Sequence, residues 1–344
     1  MATTAQIFRG TPRNIARLAR ALKAGDVVAA PTETVYGLAG DTLNTVAVKK
    51  IFAAKGRPAN DPLIVHIHSL AQLSELAESN TAVEKIARAF WPGPLTLVLP
   101  KKSVVPDLVT SGRPSVAIRM PRHPLFRKLL RACGRPLAAP SANPFGYVSP
   151  TTAAHVLDGL GKKIRYILDG GDCAIGLEST ILDLRDPKKP AILRPGAIER
   201  QAIERILRVK VKPAASEIVK RSQAAVAPGL LARHYSPRTP IQLHDHINVA
   251  KITKAGATSP KAKTSADAFL FFRRPAEFTY GRVPKNVFWL SAKGELAASA
   301  KNLFASLRTL DRGSWTQIHA ERAPGNSALA LAINDRLTRA AAKR

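Results

Sequence analysis

The sequence predicts a mixed α/β protein, with a mixed sheet flanked by helices and a second, smaller α/β domain behind it. Short apolar runs and amphipathic helices alternate through residues 1–212, too irregularly for a repeated βα unit. An Ala, Ser, Pro and basic stretch then breaks the pattern, and strand-like and helical segments resume from residue 240. The length of 344 residues, 45% of them apolar, is enough for about two ordinary cores.

Ile15, Leu18, Ala19 and Leu22 recur at helical spacing and Gly25 follows as a stop, which opens the chain with a helix over 11–24. Val27 to Ala30 reads as a strand running into Pro31 and a polar loop, and Asn44 caps a helix through Ala54. Pro62 to Ile67 is a short buried strand. Thr81 to Glu84 reads as a capping box ahead of an apolar stripe of Val83, Ile86, Ala87 and Phe90. Strands are expected at 95–99, 115–120, 137–139, 166–168, 179–184 and 191–193, with helices at 123–133 and 198–208. Residues 213–239 form a linker that carries a polar and aromatic cluster, His234, Tyr235, Ser236 and Arg238, between prolines. In the second domain, 240–344, strands are expected at 241–243, 268–272 and 287–290 and helices at 295–311 and 327–342, with a basic loop at 251–266. No internal repeat is found.

The formal net charge is +29, from 53 Lys and Arg against 24 Asp and Glu. Residues 1–213 hold 32 basic and 16 acidic groups, and the remainder 21 and 8, so the excess is no grafted tail. Such a field draws phosphates of nucleotides or nucleic acid, and equally serves solubility. Two cysteines 40 residues apart, Cys133 and Cys173, propose neither a disulfide framework nor a zinc site. No secretory signal or membrane-length apolar run is seen, so a cytoplasmic protein is expected.

GxxxxGK[ST], a GxGxxG after a strand, HExxH and GxSxG are all absent. His66 and His68 are not read as a metal pair, no metal site is expected, and no hydrolytic triad can be assembled. What remains is a dense run, PTETVYGLAGD (31–41), followed after one helix by KGRPANDPLIVHI (55–67). Lys55 and Arg57 leave a helix end together, where an ammonium and a planar guanidinium meet one polyphosphate; alone, such a pair is a solvated helix end. Asp61 and Pro62 fix the loop exit, and Thr32 and Thr34 add hydroxyls beside a turn at Gly37. SVAIRMPRHP (115–124), APSANPFGYVSP (139–150), GLEST (176–180) and LRPGAI (193–198) each set a polar residue at a strand boundary, where ligands of α/β sheets collect.

In this order and spacing the motifs resemble the threonylcarbamoyl-AMP synthase family, the YrdC-like enzymes that start threonylcarbamoyladenosine modification of transfer RNA. Its KxR and SxN hallmark stands here as Lys55, Arg57, Ser141 and Asn143, and PTETVYGL, PLIVHI, GLEST and LRPG match as well. The resemblance covers residues 10–210. APGLLARHYSP (227–237) is similar to the linker of the two-domain form, whose additional domain is Rossmann-like and has Gly325 and Asn334 to Arg336 as its best anchors here.

The resemblance implies a YrdC-like twisted mixed sheet and a nucleotidyl transfer from ATP, L-threonine and bicarbonate to threonylcarbamoyl-AMP and pyrophosphate. It makes Lys55 and Arg57 the catalytic pair on the triphosphate, with Asp61, Ser115, Ser141, Asn143, Ser149, Arg194 and Tyr235 completing the ATP site. Threonine falls to Thr34, His66, Arg119, Ala139 and Ser179, Arg119 taking its carboxylate. Tyr235 is implied as a lid over the nucleotide, or else as an anchor of the linker. Mg²⁺ is expected, held mostly by ATP phosphates and water. A downstream tRNA threonylcarbamoyl transferase complex is the implied partner, and direct contact with tRNA or double-stranded RNA is left open; no membrane partner is expected. The alternative from another class is a non-catalytic double-stranded RNA or tRNA binder, which the charge favours and 6% aromatics disfavours. A hydrogenase-type carbamoyltransferase needs zinc-finger cysteines that two cysteines cannot provide.

Overall fold

Helix caps and apolar faces build the first unit much as the sequence prescribes. The computed structural model describes residues 4–214, 226–230, 234–249, 267–280 and 283–342. Its first elements are β1 (Gln6–Arg9), α1 (Pro12–Lys23), β2 (Val28–Ala30), β3 (Gly37–Asp41), α2 (Thr45–Lys55), β4 (Ile64–His66), α3 (Leu70–Leu76), α4 (Thr81–Phe90) and β5 (Leu95–Pro100). There follow α5 (Asp107–Thr110), β6 (Ser115–Arg119), α6 (Pro124–Cys133), β7 (Leu137–Ala138), α7 (Ala153–Leu160), β8 (Tyr166–Asp169), β9 (Thr180–Asp183), β10 (Ala191–Arg194) and α8 (Arg200–Leu207).

Asn44 caps α2 as expected, its side chain accepting from the Val46 and Ala47 amides. The cap of α4 differs: Asn80 takes the Ala82 and Val83 amides, and Thr81 is already helical, because an Asn one residue upstream can reach both free N–H groups. Strand β3 was expected as part of a polar loop. It forms because its backbone pairs antiparallel with β2 and β7, which local propensity does not reveal in a Gly-rich GLAGD.

Ten strands form one mixed sheet in the order β1-β8-β2-β3-β7-β4-β6-β5-β9-β10. Alternation along each strand sorts side chains to two faces. Ala29, Leu38, Val65, Ile118 and Leu182 share one core with Ile51 of α2, Ile86 of α4 and Val156 of α7. On the opposite face Val28, Ala30, Ala39 and Leu137 pack with Leu18 and Leu22 of α1 and Phe126 and Leu130 of α6. Each fully buried Leu or Phe there contributes roughly 1.5–3 kcal/mol. Further along this second face Ile64, Val98, Ala117 and Ile181 are covered by Ala227 and Leu230, and no described helix contributes to that cluster. That stretch of β4, β6, β5 and β9 is therefore a sheet face floored for something other than a helix.

The chain divides into two units: residues up to Phe145 with 149–232, and Gly146–Val148 with the residues beyond 232. The division after residue 232 falls within the linker expected at 213–239, and Ala227 and Leu230 of that linker belong to the first unit's core. Residues 215–225 and 231–233 of that linker, and the basic loop 251–266, lie outside the described residues.

In the second unit β11 (Ile241–His244), β12 (Ala268–Arg273), β13 (Val287–Ser291) and β14 (Ile318–Glu321) make an all-parallel sheet in the order β11-β14-β12-β13. Helices Leu296–Asp311 and Ala328–Ala340 complete it. The expected anchors have structural duties: the Asn334 side chain closes both ways on the Ala323 backbone (2.8 and 2.9 Å), and Gly325 turns at φ +79°.

Candidate active site

The helix α2 ends on Gly56 in the left-handed conformation (φ 63°), a turn that costs a glycine no Cβ clash, and this swings Lys55 and Arg57 off the helix. Lys55 is buried, and its Nζ donates to the carbonyls of Ser141 (2.6 Å) and Asn143 (2.7 Å). One turn of sequence thus binds the SxN loop to the KxR loop, bringing the two halves of the hallmark together. Burial pushes the Lys55 ammonium well below its ordinary pKa, the neighbouring Arg57 charge adds to this, and Asp61 opposes it.

Arg57 donates Nε to the Asp61 carbonyl (2.9 Å) and Nη2 to that of Pro62 (2.7 Å), and pairs with the Asp61 carboxylate at 2.9 Å. Asp61 is fully buried; burial raises its pKa although Arg57, Lys55 and Arg194 all pull it down. Its carboxylate is the counter-charge beside Arg57.

Arg194, buried at the end of β10, donates Nε and Nη2 to the Ser179 carbonyl (both 3.1 Å) and Nη2 to Ser179 Oγ (3.2 Å). Ser179 Oγ also bonds Thr96 Oγ1 (2.7 Å). The close approach of β10 to the Ser179–Thr180 backbone requires Gly196, where a Cβ would stand 2.3 Å from the Thr180 amide nitrogen. Gly196→Ala is expected to cost about 1–3 kcal/mol by overpacking, read as a fall of several degrees in the thermal midpoint, with turnover falling alongside because Arg194 and Ser179 shift.

Arg119 lies at the end of β6, in register with His66 of β4 and Thr96 of β5. Its Nη1 donates to Thr34 Oγ1 (2.9 Å), its Nε to the Gly93 carbonyl (3.2 Å), and its Nη2 stands 2.7 Å from Glu33 Oε1. Burial acts to raise the Glu33 pKa, but Arg119 and the Arg122 amide hold the carboxyl below its ordinary value. His66 is held at about 3 by burial and by Arg119, so its ring is neutral at working pH; it packs on Phe126 at 5.4 Å.

By strand alternation Ser115, Arg119, His66 and Thr96 project on the same face as Ile64, Val98 and Ala117, beside Phe126 of α6. Ser149 donates Oγ to Glu178 Oε1 (2.6 Å), and the Ala139 amide donates to the Ile64 carbonyl (3.0 Å). The partners Glu33 and Glu178 sit inside the quoted PTET and GLEST motifs without having been assigned.

Tyr235 is placed in the second unit. Its buried ring meets His234 edge-on at 4.2 Å and Phe304 at 5.5 Å, with the Arg336 guanidinium 5.5 Å over it, and its backbone is left-handed at φ 62°. The linker residue that touches a candidate nucleotide-site arginine is instead Pro228, whose carbonyl accepts from Arg194 Nη1 at 3.1 Å. The signal was the Pro228-Gly229 turn, passed over in favour of the aromatic cluster.

Among the described residues no group of three His, Cys, Asp or Glu is placed to hold a metal. The donor set around Lys55 is cations, carbonyls and a carboxylate already on Arg57, which does not fit a protein-held ion. No described helix is long and apolar enough to cross a membrane.

A family model described as "Telomere recombination" matches residues 20–196, and one described as "Threonylcarbamoyl-AMP synthase, C-terminal domain" matches 198–342. A threonylcarbamoyl-AMP synthase of Pyrococcus abyssi is 41% identical, covering 94% of this chain and 92% of that protein. One of Bacillus subtilis is 38% identical, covering 96% and 93%. The crystal structure of P. abyssi Sua5 complexed with L-threonine superposes with a TM-score of 0.85 at 37% identity, over 98% of each chain. Two unit folds, the joined KxR and SxN loops and these likenesses place the chain in the threonylcarbamoyl-AMP synthase family.

Proposed function

We infer that this chain makes threonylcarbamoyl-AMP and pyrophosphate from L-threonine, bicarbonate and ATP, the first step of threonylcarbamoyladenosine modification of transfer RNA. The observation that carries this is four buried cations, with Lys55 on the Ser141 and Asn143 carbonyls, Arg57 on Asp61, Arg119 on Thr34 and Arg194 on Ser179. Full-length relatives are named for this activity.

The threonine amine attacks CO₂ with loss of a proton, or bicarbonate with loss of water, to give a carbamate, whose oxygen attacks the α-phosphorus of ATP. The new P–O bond replaces the bond to the departing pyrophosphate. No protein nucleophile is needed, because in-line nucleotidyl transfer is served by positioning and by neutralising phosphate charge. Lys55 and Arg57 take the triphosphate, and Arg194, Ser115, Ser141, Asn143 and Ser149 complete the nucleotide site. Arg119 takes the threonine carboxylate, keeping N–H groups beyond those spent on Glu33, Thr34 and Gly93, while Thr34, His66, Ala139 and Ser179 line the rest. Mg²⁺ travels with the ATP phosphates and water. The segment carrying Pro228 closes over Arg194 and keeps water from the mixed anhydride. The product passes to a tRNA threonylcarbamoyl transferase complex, and the cations outside the site draw tRNA.

Incubation with ATP, bicarbonate and labelled threonine tests the activity: pyrophosphate release is expected to require both co-substrates and to match an acid-labile threonine adenylate. Release that ignores threonine and bicarbonate overturns the inference. Truncation after residue 212 removes Pro228, Ala227 and Leu230, and is expected to lower turnover at least ~10-fold while free AMP from hydrolysis rises as a share of product. Unchanged turnover and product ratio would deny the segment its covering role.

A further inference from the structure

The second unit has a cavity of its own, of about 880 Å³. It lies where the carboxyl ends of all four parallel strands meet: His246 just past β11, Arg273 at the end of β12, Ala292 just past β13 and Glu321 at the end of β14. In open parallel α/β sheets that edge is where ligands bind, because the loops leaving the strands splay apart there and side chains from several strands converge. The volume is in the range of small-molecule sites, roughly 300–1,000 Å³, and well above what a lone inorganic ion fills.

The floor of this cavity is tied down. Strand β14 runs between β11 and β12, and its terminal Glu321, nearly buried, accepts the Ile247 amide on Oε1 (2.9 Å) and the Phe272 amide on Oε2 (3.0 Å). One carboxylate thus holds the loop after β11 and the end of β12 in fixed relation, with His246 Nδ1 3.4 Å from the same Oε1. Each carboxylate oxygen holds a backbone amide, so Glu321 organises the floor.

Two guanidiniums stand in the walls, Arg273 and Arg274, with the Glu277 carboxylate also on the lining. Arg274 is fixed, with Nε and Nη2 on the Phe278 carbonyl, Nη2 also on that of Thr279, and its guanidinium 5.0 Å over the Trp289 ring. Arg273 is different: it is exposed and has no hydrogen bond or ion pair among the described residues. Its stem lies along Gly294, where a Cβ would come within 3.2–3.4 Å of Arg273 Cβ, Cγ and Cδ. At φ +77° position 294 favours glycine, and glycine also leaves room for that stem. A free guanidinium on a guided stem, beside a second, oriented guanidinium and an imidazole, suits a planar bidentate contact to phosphate. Val249, Phe271 and Pro275 add an apolar wall for the rest of a molecule larger than the anion itself.

We propose that the second unit binds a small phosphorylated molecule, a phosphomonoester or a diphosphate, at the carboxyl edge of its parallel sheet, with Arg273 as the principal phosphate contact. This site is made of residues that take no part in the Lys55, Arg57, Arg119 and Arg194 set, so its occupancy and the first unit's turnover can be separated experimentally.

Equilibrium dialysis of the full chain against AMP, and separately against inorganic pyrophosphate, measures the stoichiometry of each. Arg273→Glu is expected to bind one equivalent fewer than the unsubstituted protein of at least one probe, with threonine-dependent pyrophosphate release at saturating substrates still present. Ala292→Trp, which fills the cavity without changing charge, is expected to lose the same equivalent, and thermal melting checks that both variants are folded. Loss confined to AMP identifies a nucleoside monophosphate as the source of the phosphate, loss confined to pyrophosphate a free diphosphate, and either supports the site. Stoichiometries for both probes that are equal in the unsubstituted protein and in whichever of the two variants is folded would overturn it. If turnover fails in the unsubstituted protein while the Arg273-dependent equivalent remains, the first unit's assignment falls and this one stands.

Discussion

Lys55→Met is expected to reduce threonine-dependent pyrophosphate release by about 10²–10³-fold, the usual loss when one preorganised charge on a reacting phosphate or oxyanion is removed. The methionine keeps the length of the apolar stem, so the variant remains folded. Its cost is the two carbonyls, Ser141 and Asn143, that lose the ammonium, roughly 1–3 kcal/mol for buried groups left unpaired. The partner substitution behaves differently. Arg57→Ala strands the buried Asp61 carboxylate, at about 3–5 kcal/mol. The sequence alone leads one to expect an inactive but intact Arg57→Ala protein; the ion pair at 2.9 Å makes loss of fold the larger hazard. Arg57→Met with Asp61→Leu replaces the pair by apolar groups and is expected to recover the thermal midpoint while turnover stays lost. Recovery of turnover along with stability would reduce Arg57 to a structural residue.

The same geometry couples ATP to protons. Burial and Arg57 depress the Lys55 pKa below its ordinary 10.5, and an arriving triphosphate raises it again. In the free protein the depressed group favours the folded state only above that ordinary value, and its contribution is lost as pH falls. In the pH window between the depressed value and the ordinary 10.5, ATP binding is therefore expected to take up protons, seen as a dependence of the calorimetric enthalpy on the ionisation enthalpy of the buffer. Lys55→Met should abolish the uptake; uptake that persists in that variant assigns it to another group.

How far the sequence disclosed the site depended on whether a duty was local. Lys55 and Arg57 were legible because helix end, glycine and loop are consecutive, and Asn44 and Gly25 signalled their helix boundaries the same way. Partners far apart in the chain, reached from loops outside the strands, were not. Glu33 reaches Arg119 across 86 positions, and Ser149 reaches Glu178 across 29; each stood in a motif that looked meaningful with no means of saying to what. Strand β1 escaped notice because QIFR has one buried residue and pairs only with β8, far along the chain. The excess charge stayed the least informative feature, since four buried cations account for the site and the surplus is spread through both units.

Arg119→Lys separates the two substrates. Lysine keeps the charge opposite Glu33 but is a point donor, whereas the guanidinium spans Thr34, Gly93 and Glu33 at once and has N–H groups left for a carboxylate. Loss of a bidentate contact of this kind is expected to raise the threonine concentration at half-saturation by about 10–100-fold, equivalent to about 1.4–2.8 kcal/mol. The ATP half-saturation should stay within about 2-fold, because Lys55, Arg57 and Arg194 are untouched. The charge on Glu33 remains paired, so the thermal midpoint should fall only a little, unlike in Arg119→Ala, where a buried carboxylate would lose its partner. A parallel rise for ATP and threonine would move Arg119 from the amino-acid end of the site to the phosphates. A rise for neither would leave Glu33 as the reason the arginine is there, and the threonine carboxylate would then have to be met from another buried guanidinium, such as Arg194 on Ser179.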